Sequence, residues 1–188
     1  MNTFDKDDHV YKMNDIVVPS ITQLLLHQNF YISGEKLGKI RQEGIDNHSL
    51  IKMYFDTRLT FENTYLIAFD NLMRELESLF GELALHESPL FSISLKFAGT
   101  PDAVFKNGIL EIKRSFGDVK RHALQIAGQS LLVKENGIAD DSKIWIVAWF
   151  DGVRFRYKNV FDNMAEIIFK SLVKKYYIDQ AINNYLEG

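Results

Sequence analysis

The spacing of apolar positions divides the chain into helical and strand-like stretches. Over residues 35–56, Leu37, Ile40, Gly44, His48, Ile51 and Phe55 recur at steps of three and four, which sets them on one face of a helix. Phe61, Leu66, Phe69, Leu72, Met73, Leu76 and Phe80 form a second such stripe over 61–80. The period then shortens. Phe91 to Lys96 alternates apolar and polar, and Ala98–Phe105 and Ile109–Ser115 read as two further strands around Lys106-Asn107-Gly108. Asn-Gly between two such runs predicts a two-residue hairpin turn. Asp118 stands as the N-cap of a helix to about Glu135. Lys143–Phe150 (KIWIVAWF) is a strongly apolar strand, turned by Asp151-Gly152 into Val153–Tyr157, and an amphipathic helix fills 160–186.

Ahead of these elements, Val10-Tyr11 and Ile16–Val18 flank Asn14-Asp15 as a small hairpin, and Ser20 caps a short helix bearing Ile21, Leu24 and Leu25. The order is hairpin, helices, three strands, helix, two strands, helix. It predicts an α/β (α+β) fold with a central mixed sheet flanked by helices. A single domain over 1–188 is expected, with its core at about 35–158, the hairpin and short helix at 10–27 and the closing helix at 160–186.

Composition narrows the chemistry. The absence of cysteine excludes disulfides, zinc–thiolate sites and iron–sulfur clusters. No apolar run nears the roughly 20 residues that span a membrane, and the polar, acidic start is no secretory signal, so a cytoplasmic protein is expected. The G-x-x-x-x-G-K-[ST] loop of an ATP site is absent. The net charge of −3 means that nucleic acid would have to be met by a local basic patch.

With Asn107-Gly108 as the turn, Phe105 faces Leu110, Val104 faces Glu111, Ala103 faces Ile112 and Asp102 faces Lys113. Paired residues share a face, as do residues two apart on one strand. Asp102, Glu111 and Lys113 therefore converge on one face, while Ala103, Phe105, Leu110 and Ile112 feed a core on the other. Two carboxylates near a lysine suit phosphodiester hydrolysis. Hard oxygens hold Mg²⁺ or Mn²⁺, the ion acidifies a water, and the ammonium stabilises charge as it develops.

Pro101-Asp102, eight residues, then Glu111-Ile112-Lys113 resembles the motif of the PD-(D/E)xK nucleases, with their restriction-endonuclease-like core. The segment FAGTPDAVFKNGILEIKRS is similar to the core of the RecB-like and phage-type exonuclease branch. So are NDIVVPSITQLL (Asn14–Leu25), Gly44-Ile-Asp-Asn-His48 and Gln125, together spanning about residues 10–135. The resemblance implies a DNA exonuclease of phage or bacterial recombination, repair or processing. Asp102, Glu111, His48 and the backbone carbonyl of Ile112 would be metal ligands, Lys113 the catalytic lysine, and Gln125 its support. Glu87 would serve a second ion. Gln129 stands where the branch carries a tyrosine and is grouped with the DNA contacts. The resemblance implies linear DNA as substrate, a helicase, recombinase or single-strand-binding partner, and room for an oligomer.

Arg114, Lys120, Arg121 and His122, beside Lys113, form the densest basic stretch, and Arg154, Arg156 and Lys158 alternate along a strand. The first group is expected to contact DNA phosphates. Tyr54, Phe55, Phe69, Trp145, Trp149, Tyr176 and Tyr177 read mostly as core by their spacing, and nothing in the sequence marks them as base-stacking platforms. A structure- or sequence-selective endonuclease and a non-catalytic DNA-binding module are the alternatives.

Overall fold

The central sheet is assembled from two hairpins joined by one helical crossover, with a fifth strand added at the edge of the first hairpin. The computed structural model describes residues 1–5, 10–27, 49–60, 62–139 and 143–187. In chain order the strands are β1 (Asn2–Asp5), β2 (Val10–Met13), β3 (Ile16–Val18), β4 (Leu83–His86), β5 (Leu90–Ser92), β6 (Phe97–Gly99), β7 (Ala103–Phe105), β8 (Gly108–Lys113), β9 (Trp145–Phe150) and β10 (Phe155–Asn159). The helices are α1 (Ile21–His27), α2 (described over 49–57), α3 (Thr64–Phe80), α4 (Val119–Glu135) and α5 (Ala165–Glu187). The five-stranded sheet has the order β10-β9-β8-β7-β4. Only β8 and β9 run parallel, because α4 carries the chain back across the sheet between them; the other neighbours are antiparallel. This is the mixed sheet flanked by helices that the pattern predicts.

The sheet is buried on both faces, so β8 has no exposed residue despite strict alternation. One face packs Ala103, Phe105, Leu110, Ile112, Ile146, Ala148 and Phe155 against α2 and α3. The other packs Val104, Ile109, Trp145 and Val147 against α1, α4 and α5. Gly128 lets α4 and α5 approach, since a Cβ there would lie 2.6 Å from Phe169 Cζ.

Helix ends follow local chemistry. Ser20 and Gln23 form a reciprocal capping box on α1, with Gln23 N donating to Ser20 Oγ at 3.1 Å and Ser20 N to Gln23 Oε1 at 2.8 Å. Asp118 caps α4 as expected. Asn63, whose Oδ1 accepts from the N–H groups of Tyr65 and Leu66, starts α3 three residues after the expected boundary. The expected hairpin at Asn14-Asp15 is present, with both residues at positive φ, and β1 adds a third strand to it.

Three strand expectations need correction. Phe91 to Lys96 is not one strand: residues 93–96 turn β5 into β6. Glu135 holds that turn by accepting from Ser92 Oγ, Ser94 N and Ser94 Oγ at 2.6–2.9 Å. Ala98–Phe105 is likewise split. Ala98 N donates to Pro19 O at 3.0 Å, drawing β6 to the N-terminal segment, and the chain leaves for the main sheet through Thr100-Pro101-Asp102. Finally, Ala103 faces Leu110, Val104 faces Ile109 and Phe105 faces Gly108, so the two-residue turn is Lys106-Asn107 and Gly108 is a strand residue. The cause lies outside the hairpin. Lys106 N donates to Glu82 O and Asn107 N to Phe80 O, so the last residue of α3 and the segment just after it grip the turn. Gly81 at φ +89 makes room, since a Cβ there would meet Lys106 Cβ at 3.0 Å. Of the helix expected over 35–56, residues 35–48 lie outside the described residues.

Candidate active site

The site forms where β7 stops short of its partner. Beyond the Ala103–Leu110 pair, β8 continues to Lys113 alone on that side, and Asp102 turns back to it. Asp102 Oδ2 accepts from the backbone N–H of Ile112 at 2.6 Å, a charge-assisted bond in place of a strand partner. Asp102 and Glu111 are 5% and 4% exposed, so both carboxylates are withdrawn from bulk water.

Glu111 projects to the α4 face and is met there by three donors. Lys113 Nζ and Gln125 Nε2 reach its Oε1 at 2.5 and 2.6 Å, and Gln129 Nε2 reaches Oε2 at 2.5 Å. Gln125 and Gln129 are one turn apart on α4, so both amides aim at the same carboxylate. A buried carboxylate without such partners would be costly, and the lysine and two amides offset that cost. Lys113 keeps 27% of its side chain exposed, and Gln125 is likewise only half-buried.

Other groups frame this centre. Tyr65, in the first turn of α3, has its phenol pKa raised by burial and then by the negative charge of Asp102. His122 Nε2 accepts from Gly117 N at 3.2 Å, and burial, then the Lys113 charge, holds its pKa below the usual histidine value. Glu87 N donates to Asp102 O at 3.2 Å, with Glu87 at φ +42.

Asp102, Glu111, Lys113 and Gln125 are thus brought together. His48 lies outside the described residues. Two placements differ from expectation. Gln129 is 2% exposed and bonded to Glu111, and His122 is 7% exposed, so neither presents a surface to DNA phosphates. Gln125 and Gln129 lie on the side of α4 that meets Glu111 of β8. Gln129 Oε1 is buried without a hydrogen-bond partner among the described residues. Arg114 and Lys120 are exposed and Arg121 is half-buried. Sequence reasoning did not assign Gln129 to the Glu111 carboxylate, although its spacing of four from Gln125 carried the signal.

The donor chemistry is of the kind that suits a hard divalent cation: the Asp102 and Glu111 carboxylates and the Ile112 carbonyl are hard oxygens, with no sulfur ligand. Among the described residues, no group of three or more histidine, aspartate or glutamate side chains is placed to share an ion, and Glu87 does not join the Asp102–Glu111 pair.

No protein-family model and no curated protein matches the chain. Solved structures do. An alkaline exonuclease from Laribacter hongkongensis, LHK-Exo, is similar over 89% of this chain and 90% of its own, with a TM-score of 0.44 and 12% identity. LHK-Exo in complex with dAMP is similar over 90% and 91%, with a TM-score of 0.44 and 10% identity. The protein SSO0001 is similar over 85% and 84%, with a TM-score of 0.39 and 15% identity. At these identities and scores the functional reading rests on the side chains of this chain.

Proposed function

We propose that this protein is a metal-dependent nuclease that hydrolyses phosphodiester bonds of linear DNA and works as an exonuclease. The observation that carries the reading is the meeting of two buried carboxylates, Asp102 and Glu111, with the partly exposed ammonium of Lys113 at the open end of β8. Asp102, Glu111 and the Ile112 carbonyl would hold Mg²⁺ or Mn²⁺, which supplies an acidified water and neutralises phosphate charge. Lys113 faces the substrate side and offers its charge to a phosphoryl oxygen as negative charge builds. Gln125 and Gln129 hold Glu111 in one orientation, so little reorganisation is needed when substrate arrives. Arg114 and Lys120 lie exposed at the rim, where phosphate contacts weaken as salt rises. The exonuclease mode draws on the likeness of FAGTPDAVFKNGILEIKRS to the RecB-like branch, and so does a role in recombination or repair.

The test is hydrolysis of linear duplex DNA with Mg²⁺. Wild type is expected to release nucleotides and spare covalently closed circles. Asp102→Ala and Lys113→Ala are expected to lower the rate on the order of 10³-fold. Full activity in both variants defeats the assignment, and discrete fragments from circles would replace the exonuclease by an endonuclease.

A further inference from the structure

We propose that Trp149 and Phe116 form a stacking platform for an unpaired base of single-stranded DNA, next to Lys113. The location rests on the nuclease reading; the platform itself rests on sheet register and ring geometry.

Across the parallel pair Lys113 faces Trp149, and across the next pair Trp149 faces Arg156. Partners in adjacent strands share a face, so these three side chains form a row of cation, aromatic and cation, with neighbours about 4.8 Å apart at the backbone. One step inward the row is Glu111, Val147 and Lys158. The β9 residues on this face are Trp145, Val147 and Trp149. The first two are sealed into the core at 1% and 0% exposure, whereas Trp149 is only half-buried. The apolar face therefore runs out of cover at Trp149, where the catalytic groups begin.

Phe116 arrives from the segment after Lys113 and lies against Trp149, with ring centroids 4.6 Å apart and planes inclined by 32°. It too is half-buried. His122 approaches it at 5.6 Å between centroids, and Lys158 Nζ lies 5.5 Å from its centre. Arg156 is anchored by Asp151, whose Oδ2 accepts from Nε at 2.7 Å. Two half-buried rings, with Lys158 over Phe116 and Lys113 and Arg156 flanking Trp149 in the strand register, suit a polyanion that carries flat apolar faces. A duplex hides its base faces in the stack, while a single strand exposes them, and aromatic side chains then bind bases with little sequence preference. An apolar protein partner would gain nothing from the cationic edge.

The chain has only two tryptophans, so its emission isolates the platform. In EDTA, with hydrolysis stopped, a dT decamer is expected to quench wild-type emission. Trp149→Phe, which retains only the buried Trp145, is expected to show no quenching. By fluorescence anisotropy, Trp149→Ala and Phe116→Ala are expected to bind labelled dT decamer about tenfold more weakly. An abasic decamer of the same length is expected to bind wild type and Trp149→Ala equally. Equal quenching by the abasic strand, or wild-type affinity in both alanine variants, overturns the platform. Quenching without any DNA cleavage would defeat the nuclease reading alone. Cleavage without base-dependent quenching would defeat the platform alone.

Discussion

The two faces of the central sheet are built from the same strands but do different work. Toward α2 and α3, the positions of β7, β8 and β9 are apolar, and Phe69 sits at 0% exposure between Tyr54, Phe55 and Phe155 at centroid distances of 5.2–5.7 Å. Toward α4, the apolar row is interrupted at Glu111, and a carboxylate, a lysine and two amides occupy the volume that methyl groups fill on the other side. The polar cluster is tolerated because the carboxylate is fully paired, and because the opposite face fixes the strands that carry it. Rigid packing on one face thus positions chemistry on the other.

Three perturbations sharpen this division. Glu111→Gln keeps the side-chain shape and removes the charge. DNA hydrolysis is expected to fall on the order of 10³-fold, about 4 kcal/mol of barrier, with the far-UV circular dichroism spectrum unchanged. Retained activity would mean that the polar face is only structural. Phe69→Ala removes a filled volume on the opposite face. Denaturant unfolding is expected to report a loss of about 3–5 kcal/mol, while the specific activity of the remaining folded fraction stays near wild type. A small stability change there would erase the contrast between faces.

The smallest effect concerns His122. Burial, then the Lys113 charge, holds its folded pKa below the unfolded value. The unfolded chain therefore takes up a proton below about pH 6.5 that the folded ring resists, so this histidine makes stability fall as the pH drops through that range. His122→Gln is expected to flatten the slope of unfolding free energy against pH by at most about 1.4 kcal/mol per unit. His86, lowered by burial and then by Arg58, keeps its own contribution. An unchanged slope between pH 5.5 and 7.5 would remove His122 as a titrating group.

The site was legible in the sequence for a reason that survives an error. The expected hairpin register differs from the observed one by two residues, so Asp102 was set opposite Lys113, although the observed pairing runs toward Glu111. A displacement of two preserves the alternation, and every side chain stays on its face. Ala103, Phe105, Leu110 and Ile112 therefore reach the α3 face as expected. The strand β4 was missed because Leu83–His86 is short and lies at the sheet edge, where one pairing with β7 defines it. Trp149 reads as core by its spacing, whereas in the structure it is only half-buried.

Sequence alone determined the helices α1, α3, α4 and α5 and the strands β8 and β9, which caps start α1 and α4, and which face of β8 bears the acid and the lysine. These depend on local period and on side-chain chemistry within a few residues. The tertiary structure decided the register of β7 on β8, the break at Thr100-Pro101-Asp102, and the convergence of Gln125 and Gln129 on Glu111. Those depend on the carbonyls of Phe80, Glu82 and Pro19 and on the side-chain amides of α4, which are distant along the chain from the groups they meet, and no local pattern encodes where they come to rest.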